Sequence, residues 1–227
     1  MAHVLELCGC TAQGATAESA IAGTPQATRA FLRFLARHGE PAEPDAQFQI
    51  KTAEHVVRPG RFVGSGSPLV TFRPDLRPIS LHEIETLLRQ LDCLTTDLLE
   101  MVGRLTPRRL TTRPDENTRS VREVLEHLVE AERFYLRSTL GTDAAPQAPV
   151  ASIRSRENDV IAWMKRVRQL SNDRIRALTP AQRRRVVRVT SLRWFSATWT
   201  VRKMLRRMLE HEWEHFVKLA ARLGRAL

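Results

Sequence analysis

Ser120-Val-Arg-Glu-Val-Leu-Glu-His-Leu-Val-Glu-Ala-Glu-Arg-Phe-Tyr135 is the stretch that decides how this chain folds. It opens with a capping box, Ser120 serving the backbone N–H of Glu123 and Glu123 reaching back to that of Ser120. Val124, His127, Ala131 and Phe134 then recur at steps of 3, 4 and 3, the period of one helical face. No glycine or proline interrupts the run before Gly141. The pattern predicts an amphipathic helix with a histidine on the seam that faces other helices.

Three more helices of the same kind surround it. Ser80-Leu-His-Glu83 is a second capping box, followed by the stripe Ile84, Leu87, Leu88, Leu91, Leu94, Leu98 and Val102, which predicts a helix from Ser80 to Leu105. Val160, Ile161, Trp163, Met164, Val167, Leu170 and Ile175 mark a third helix. Thr200 caps a fourth, with Val201, Met204, Leu205 and Met208 and further apolar positions to Leu223. Leu105-Thr-Pro107 and Leu178-Thr-Pro180 are echoes, each a stop followed by a basic turn. The expectation is an all-α up-and-down four-helix bundle over 78–227, with the echo suggesting two helical hairpins.

Residues 1–77 read differently. His3–Leu7, Phe48–Thr52 and Leu69–Phe72 look like short strands, and Gly60 to Pro68 is glycine-rich. Thr16 caps one helix carrying Ile21, Ala27, Phe31, Leu32 and Leu35, which Pro25 should kink or split and Gly39 should stop. The expectation here is an α+β unit, a small sheet with one helix, joined through Arg73-Pro-Asp-Leu-Arg-Pro78.

Composition narrows the class. With 42% hydrophobic and 27% charged residues, the chain of 227 has a globular balance and is not globally disordered. No apolar run reaches 18 residues, so no membrane span is expected, and no basic-then-apolar leader pattern opens the sequence. Three cysteines, Cys8, Cys10 and Cys93, make no disulfide framework, which points to a reducing, cytoplasmic setting. The net charge of +11 is uneven: residues 1–77 carry 8 basic and 7 acidic side chains, residues 78–227 carry 28 and 18.

The histidines carry the chemistry. His211 and His215 are four apart and therefore share a helical face. They lie on the line Val201, Met204, Met208, His211, His215, Leu219, stepping by 3, 4, 3, 4 and 4, so both join the core-facing seam. A lone seam histidine reads first as a hydrogen-bonded structural residue. A seam pair joined by His127 from a second helix favours a shared divalent metal (zinc, nickel or iron) that leaves positions open for a water or a substrate thiolate. His82 sits beside Glu85 and Thr86 on a polar face and is left out; His3, His38 and His55 show no ligand-like pairing.

His211-Glu-Trp-Glu-His215 also satisfies H-E-x-x-H, the zincin motif, with Glu212 as its base. A zincin takes a third ligand downstream, and Phe216–Leu227 contains no His, Asp, Glu or Cys. The protease reading is set aside. Glu212 is left as a support for the site and Glu214 is assigned to a solvated face.

Residues 79–225 resemble the DinB-like family of metal-binding four-helix bundles, through Ser120–Tyr135 and His211-x-x-x-His215. The resemblance implies a metal triad of His127, His211 and His215, frequent dimerisation, and thiol-dependent transferase or isomerase chemistry among the relatives. Arg119-Ser120 stands where that family often has Trp-Ser. Residues 1–53 resemble a HicB-like antitoxin domain through His3–Gly14, Ala15–Ile21 and Ala27–Leu32, beginning at that family's second strand. That implies an accessory or dimerisation role.

Arg183, Arg184, Arg185, Arg188, Arg193, Arg202, Lys203, Arg206 and Arg207 cluster around the last connection, with Trp194, Phe195 and Trp199 among them. Three readings stand open: a solvated helix face with aromatic core plugs, single-stranded nucleic acid bound by charge and stacking, or an anionic thiol drawn towards the metal. The functional expectation is a metal-dependent thiol transferase or hydrolase acting on a small anionic or thiol substrate. The alternative is a non-enzymatic binding module, either antitoxin-like and binding a protein partner, or binding nucleic acid.

Overall fold

The structure, a computed structural model, describes residues 1–57, 70–141, 159–191 and 195–225. A small sheet with one helix precedes a four-helix bundle, in agreement with the expected fold class. β1 (Ala2–His3) pairs antiparallel with β2 (Thr11–Ala12), Ala2 opposite Ala12. Between them the chain turns tightly, with Val4 N–H bonded to Cys10 O at 3.0 Å. Gly9 has φ +105°, and a Cβ there would meet the Phe31 ring at 2.9 Å and Leu209 Cβ at 3.1 Å. Only glycine suits that backbone and that close approach.

α1 (Ala17–Arg37) is one continuous helix through Pro25 and is not split there. An interior proline costs about 3 kcal/mol. Phe31, Phe34 and Leu35 are all buried on the same helix, and each apolar side chain contributes about 1.5–3 kcal/mol, which offsets that cost. Phe31 meets Trp213 edge-on at 4.9 Å between ring centroids, and Phe34 lies 5.2 Å from the same ring. Cys10, Phe31, Phe34 and Leu35 thereby join the same hydrophobic core as the bundle. The other expected strands shrink or vanish. Of the first run, His3–Leu7, only His3 lies in a strand (β1), while 48–52 and 70–72 are irregular; Gly60 to Pro68 and Leu69 lie outside the described residues. A single helix packed on a bundle leaves no second layer for a larger sheet to cover.

The bundle consists of α2 (Leu81–Gly103), α4 (Val121–Leu140), α5 (Val160–Arg176) and α7 (Val201–Arg222), with short helices α3 (Pro107–Thr111) and α6 (Pro180–Arg184) in the connections. The expected caps hold: Ser80 and Ser120 form capping boxes, and Thr200 Oγ1 accepts from Lys203 N–H at 3.1 Å. The Thr-Pro echo is real locally, since Thr106 and Thr179 cap α3 and α6 with proline in the first turn. The hairpin pairing is not. α2 packs against α7 and α5, and α4 packs against the same two, so α2 and α4 sit across the bundle from each other, as do α5 and α7.

β3 (Val187–Ser191) and β4 (Phe195–Trp199) form an antiparallel hairpin before α7, Val187 opposite Trp199 and Val189 opposite Ala197. Trp199 is fully buried and packs 5.5 Å from Tyr135 and 5.9 Å from Phe134. Arg193 and Trp194 lie outside the described residues.

α7 is the centre of the molecule. Every residue from Lys203 to Glu214 is buried, because α2 and α4 cover one side and the N-terminal segment covers another. The cations at its start are therefore not a solvated face. Arg206 bonds Asp75 and Glu210, Arg207 bonds Glu210 at 2.7 Å, and Lys203 Nζ reaches Thr71 Oγ1 and Thr198 O while lying 4.5 Å from the Trp199 ring centroid. His3 Nδ1 completes the cluster 2.8 Å from Glu210 Oε1. Burial would raise the Glu210 carboxyl, but Arg206, His3 and Arg207 outweigh it and hold the group far below the usual carboxylate range. Glu214 is likewise buried, with Lys218 Nζ 2.7 Å from its carboxylate. No described helix is long and apolar enough to cross a membrane.

Candidate metal centre

α4 and α7 bring the three seam histidines together. His127 Nε2 lies 3.1 Å from His211 Nε2, and His215 Nε2 lies 3.2 Å from the same atom. One ligand atom from each ring falls within 4.8 Å of the other two. Among the described residues no other group of three His, Cys, Asp or Glu side chains converges in this way. His211 is buried, while His127 and His215 are half-buried.

The donor set suits a cation better than it suits itself. His211 Nε2 has either one proton or one lone pair, and it faces two other nitrogens at hydrogen-bond distance. One proton cannot serve both contacts. Three lone pairs aimed at one ion satisfy all three atoms, and tetrahedral coordination with bonds of about 2.0–2.1 Å places neighbouring nitrogens about 3.3 Å apart. The two spacings to His211, 3.1 and 3.2 Å, are close to that, and the His127–His215 pair lies within 4.8 Å.

Electrostatics keeps the rings neutral. Burial lowers His211 well below its ordinary value, helped by His215 and Arg207. Burial, then His127, takes His215 from 6.5 to about 4, with Glu214 opposing. Burial and Arg119 lower His127. Neutral imidazole is the form that binds metal.

The remaining histidines fall where the sequence left them, outside the triad. His82 is exposed, His38 Nε2 sits 3.0 Å from Asp97 Oδ2, and His3 belongs to the Glu210 cluster. Glu212, the base that a zincin reading would need, is committed elsewhere. Thr95 Oγ1 donates to it at 2.6 Å and Arg168 Nη2 at 2.5 Å. Its burial raises the carboxyl, with Arg168 and Thr95 pulling the other way. Sequence reasoning missed this partner. Arg168 lies on the Val160–Ile175 helix beside Val167, and an arginine next to a core stripe was its only signal.

A family model described as DinB superfamily matches residues 90–216, a span that includes all three histidines. YfiT from Bacillus subtilis, described as "a probable metal-dependent hydrolase with an unusual four-helix bundle topology", is a similar solved structure with a TM-score of 0.49 and 20% identity, covering 70% of this chain and 95% of that one. No curated protein matches the sequence.

Proposed function

The chain belongs to the DinB superfamily, and on that footing we propose that it is a metal-dependent enzyme whose His127, His211 and His215 hold one divalent ion. The observation that carries this reading is the convergence of three imidazole rings, with Nε2 of His127 and of His215 at 3.1 and 3.2 Å from Nε2 of His211. Zinc, nickel and iron all accept such ligands. An ion bound there supplies Lewis acidity and makes a water or thiol nucleophilic near neutral pH. The chain's own residues keep the rings unprotonated by burial and leave His127 and His215 reachable from outside. The positive charge of Arg119 acts on all three rings and favours a small anionic or thiol substrate over a cationic one. Hydrolase and thiol transferase are the two reaction classes this supports.

The non-enzymatic alternative loses much of its surface. Lys203, Arg206 and Arg207 are buried, which leaves Arg184, Arg185 and Arg188 as the exposed described cations of the cluster. We read residues 1–77 and 78–227 as two sequence units, the first an accessory segment of HicB-like descent whose α1 is occupied by Trp213. A cytoplasmic homodimer completes the proposal. The test is metal analysis of tag-free protein from metal-replete cells. Near-stoichiometric metal that disappears in His127→Ala and His211→Ala is expected; wild-type protein without metal sinks the reading.

A further inference from the structure

The two helices that carry the histidines are tied to each other by one guanidinium. Arg168 of α5 places a single nitrogen, Nη2, 3.0 Å from Glu132 Oε2 of α4 and 2.5 Å from Glu212 Oε2 of α7. Glu132 lies five residues beyond His127, and Glu212 is the neighbour of His211. Thr95 of α2 bonds the other oxygen of Glu212, so all four bundle helices meet at this point. We infer that Arg168 is a positioning residue for the three-histidine site. By holding both carboxylates it fixes α4 against α7, and so sets the spacing of His127 from His211 and His215. This inference rests on the metal reading given above.

Stability alone accounts poorly for these charges. Side chains of Arg168, Glu132 and Glu212 are only 7%, 6% and 2% exposed, and desolvating such ions is expensive. The network is also incomplete. Glu132 Oε1 and Arg168 Nε and Nη1 find no hydrogen-bond partner among the described residues. Well-packed uncharged side chains in such a place are often neutral or stabilising. What they do not supply is a directed link with one geometry, and a metal site needs its ligands placed to a fraction of an ångström.

The experiment separates folding from ligand placement. In Glu132→Gln/Arg168→Met/Glu212→Gln all three charges are removed and side-chain volume is roughly kept. Thermal melts report folding, competition with a chromophoric chelator reports zinc affinity, and the visible absorption of added cobalt reports coordination geometry. The triple variant is expected to melt cooperatively within a few degrees of wild type. Its zinc dissociation constant should rise about tenfold or more, with an altered cobalt spectrum. Arg168→Lys, which keeps the charge, should recover part of the affinity. A wild type that binds zinc beside a triple variant with unchanged affinity and spectrum overturns the clamp and leaves the metal reading standing. A wild type that binds no zinc overturns both. If the triple variant fails to fold, Glu132→Gln cuts only the α4 arm and carries the same comparison; unchanged zinc affinity there overturns the clamp as well.

Discussion

Acid should loosen the metal-free protein in a pH range set by the histidine cluster. His215 falls from 6.5 to about 4, first through burial and then through His127. The unfolded chain therefore binds a proton that the folded chain refuses between those two values. The stabilisation is present above pH 6.5 and is lost as the pH falls towards 4. By linkage this one ring costs about 2 kcal/mol between pH 7 and pH 5, and about 3 kcal/mol once both states are protonated. At this chain length that first loss is worth about 4–8 °C of melting temperature. His127 and His211 are lowered too and act in the same direction. The stability lent by Glu210 and Glu123 is present above the ordinary carboxylate value and is lost as the pH falls from there towards their lowered values, held down by Arg206 and Arg113, so it does not fall away between pH 7 and 5 as the histidine contribution does. The assay is thermal unfolding of chelator-treated protein at pH 8, 7, 6 and 5, with His215→Gln alongside. The variant should lose markedly less stability than wild type between pH 7 and 5. Zinc should raise the wild-type melting temperature most at high pH, since ligation and protonation compete for the same nitrogens. Parallel pH dependence in wild type and His215→Gln would refute the claim that crowding and burial keep this ring neutral.

Two further outcomes follow from the cover over α7. Asp75→Ala removes the carboxylate that takes both Arg206 Nε and Nη2 at 2.8 Å and leaves that buried guanidinium with Glu210 as its carboxylate partner, which should cost about 3 kcal/mol in denaturant unfolding; a loss below about 1 kcal/mol would mean that Glu210 alone suffices. A fragment of residues 78–227 uncovers Trp213 and removes Asp75 and His3 together, so it should bind a hydrophobic dye and lose its cooperative melt. A soluble fragment with a sharp transition would show that the second unit folds alone.

Features determined by neighbours in sequence were legible. Thr16, Ser80, Ser120 and Thr200 cap helices where their side chains predict, because a cap is decided within three residues. The histidine triad was legible through periodicity, since a residue in step with Met204 and Met208 must share their face. What failed was the assumption that a helix has one buried side. Arg206 pairs with Asp75 across 131 residues and His3 with Glu210 across 207, and no local pattern contains such partners. Seen locally, the charges at 203, 206, 207 and 210 look solvated. The β3–β4 hairpin was hidden for a related reason. Val187, Val189, Ala197 and Trp199 alternate as strands do, but arginines from 183 to 188 draw attention to charge instead.

The burial of α7 also changes what the net charge of +11 means. A basic excess predicts an anionic partner only when the cations reach solvent. Lys203, Arg206 and Arg207 lie inside the fold, where Glu210, Asp75 and nearby oxygen atoms take them up, and Arg168 is held by two glutamates. These cations orient the chain around its central helix and offer nothing to a ligand. Arg119 differs, since it is exposed and its field reaches the histidine cluster. At the proposed metal site, any selection of an anion would therefore depend on a few exposed groups such as Arg119, so Arg119→Ala should weaken anion inhibition of zinc-site ligand binding more than removal of the other exposed arginines.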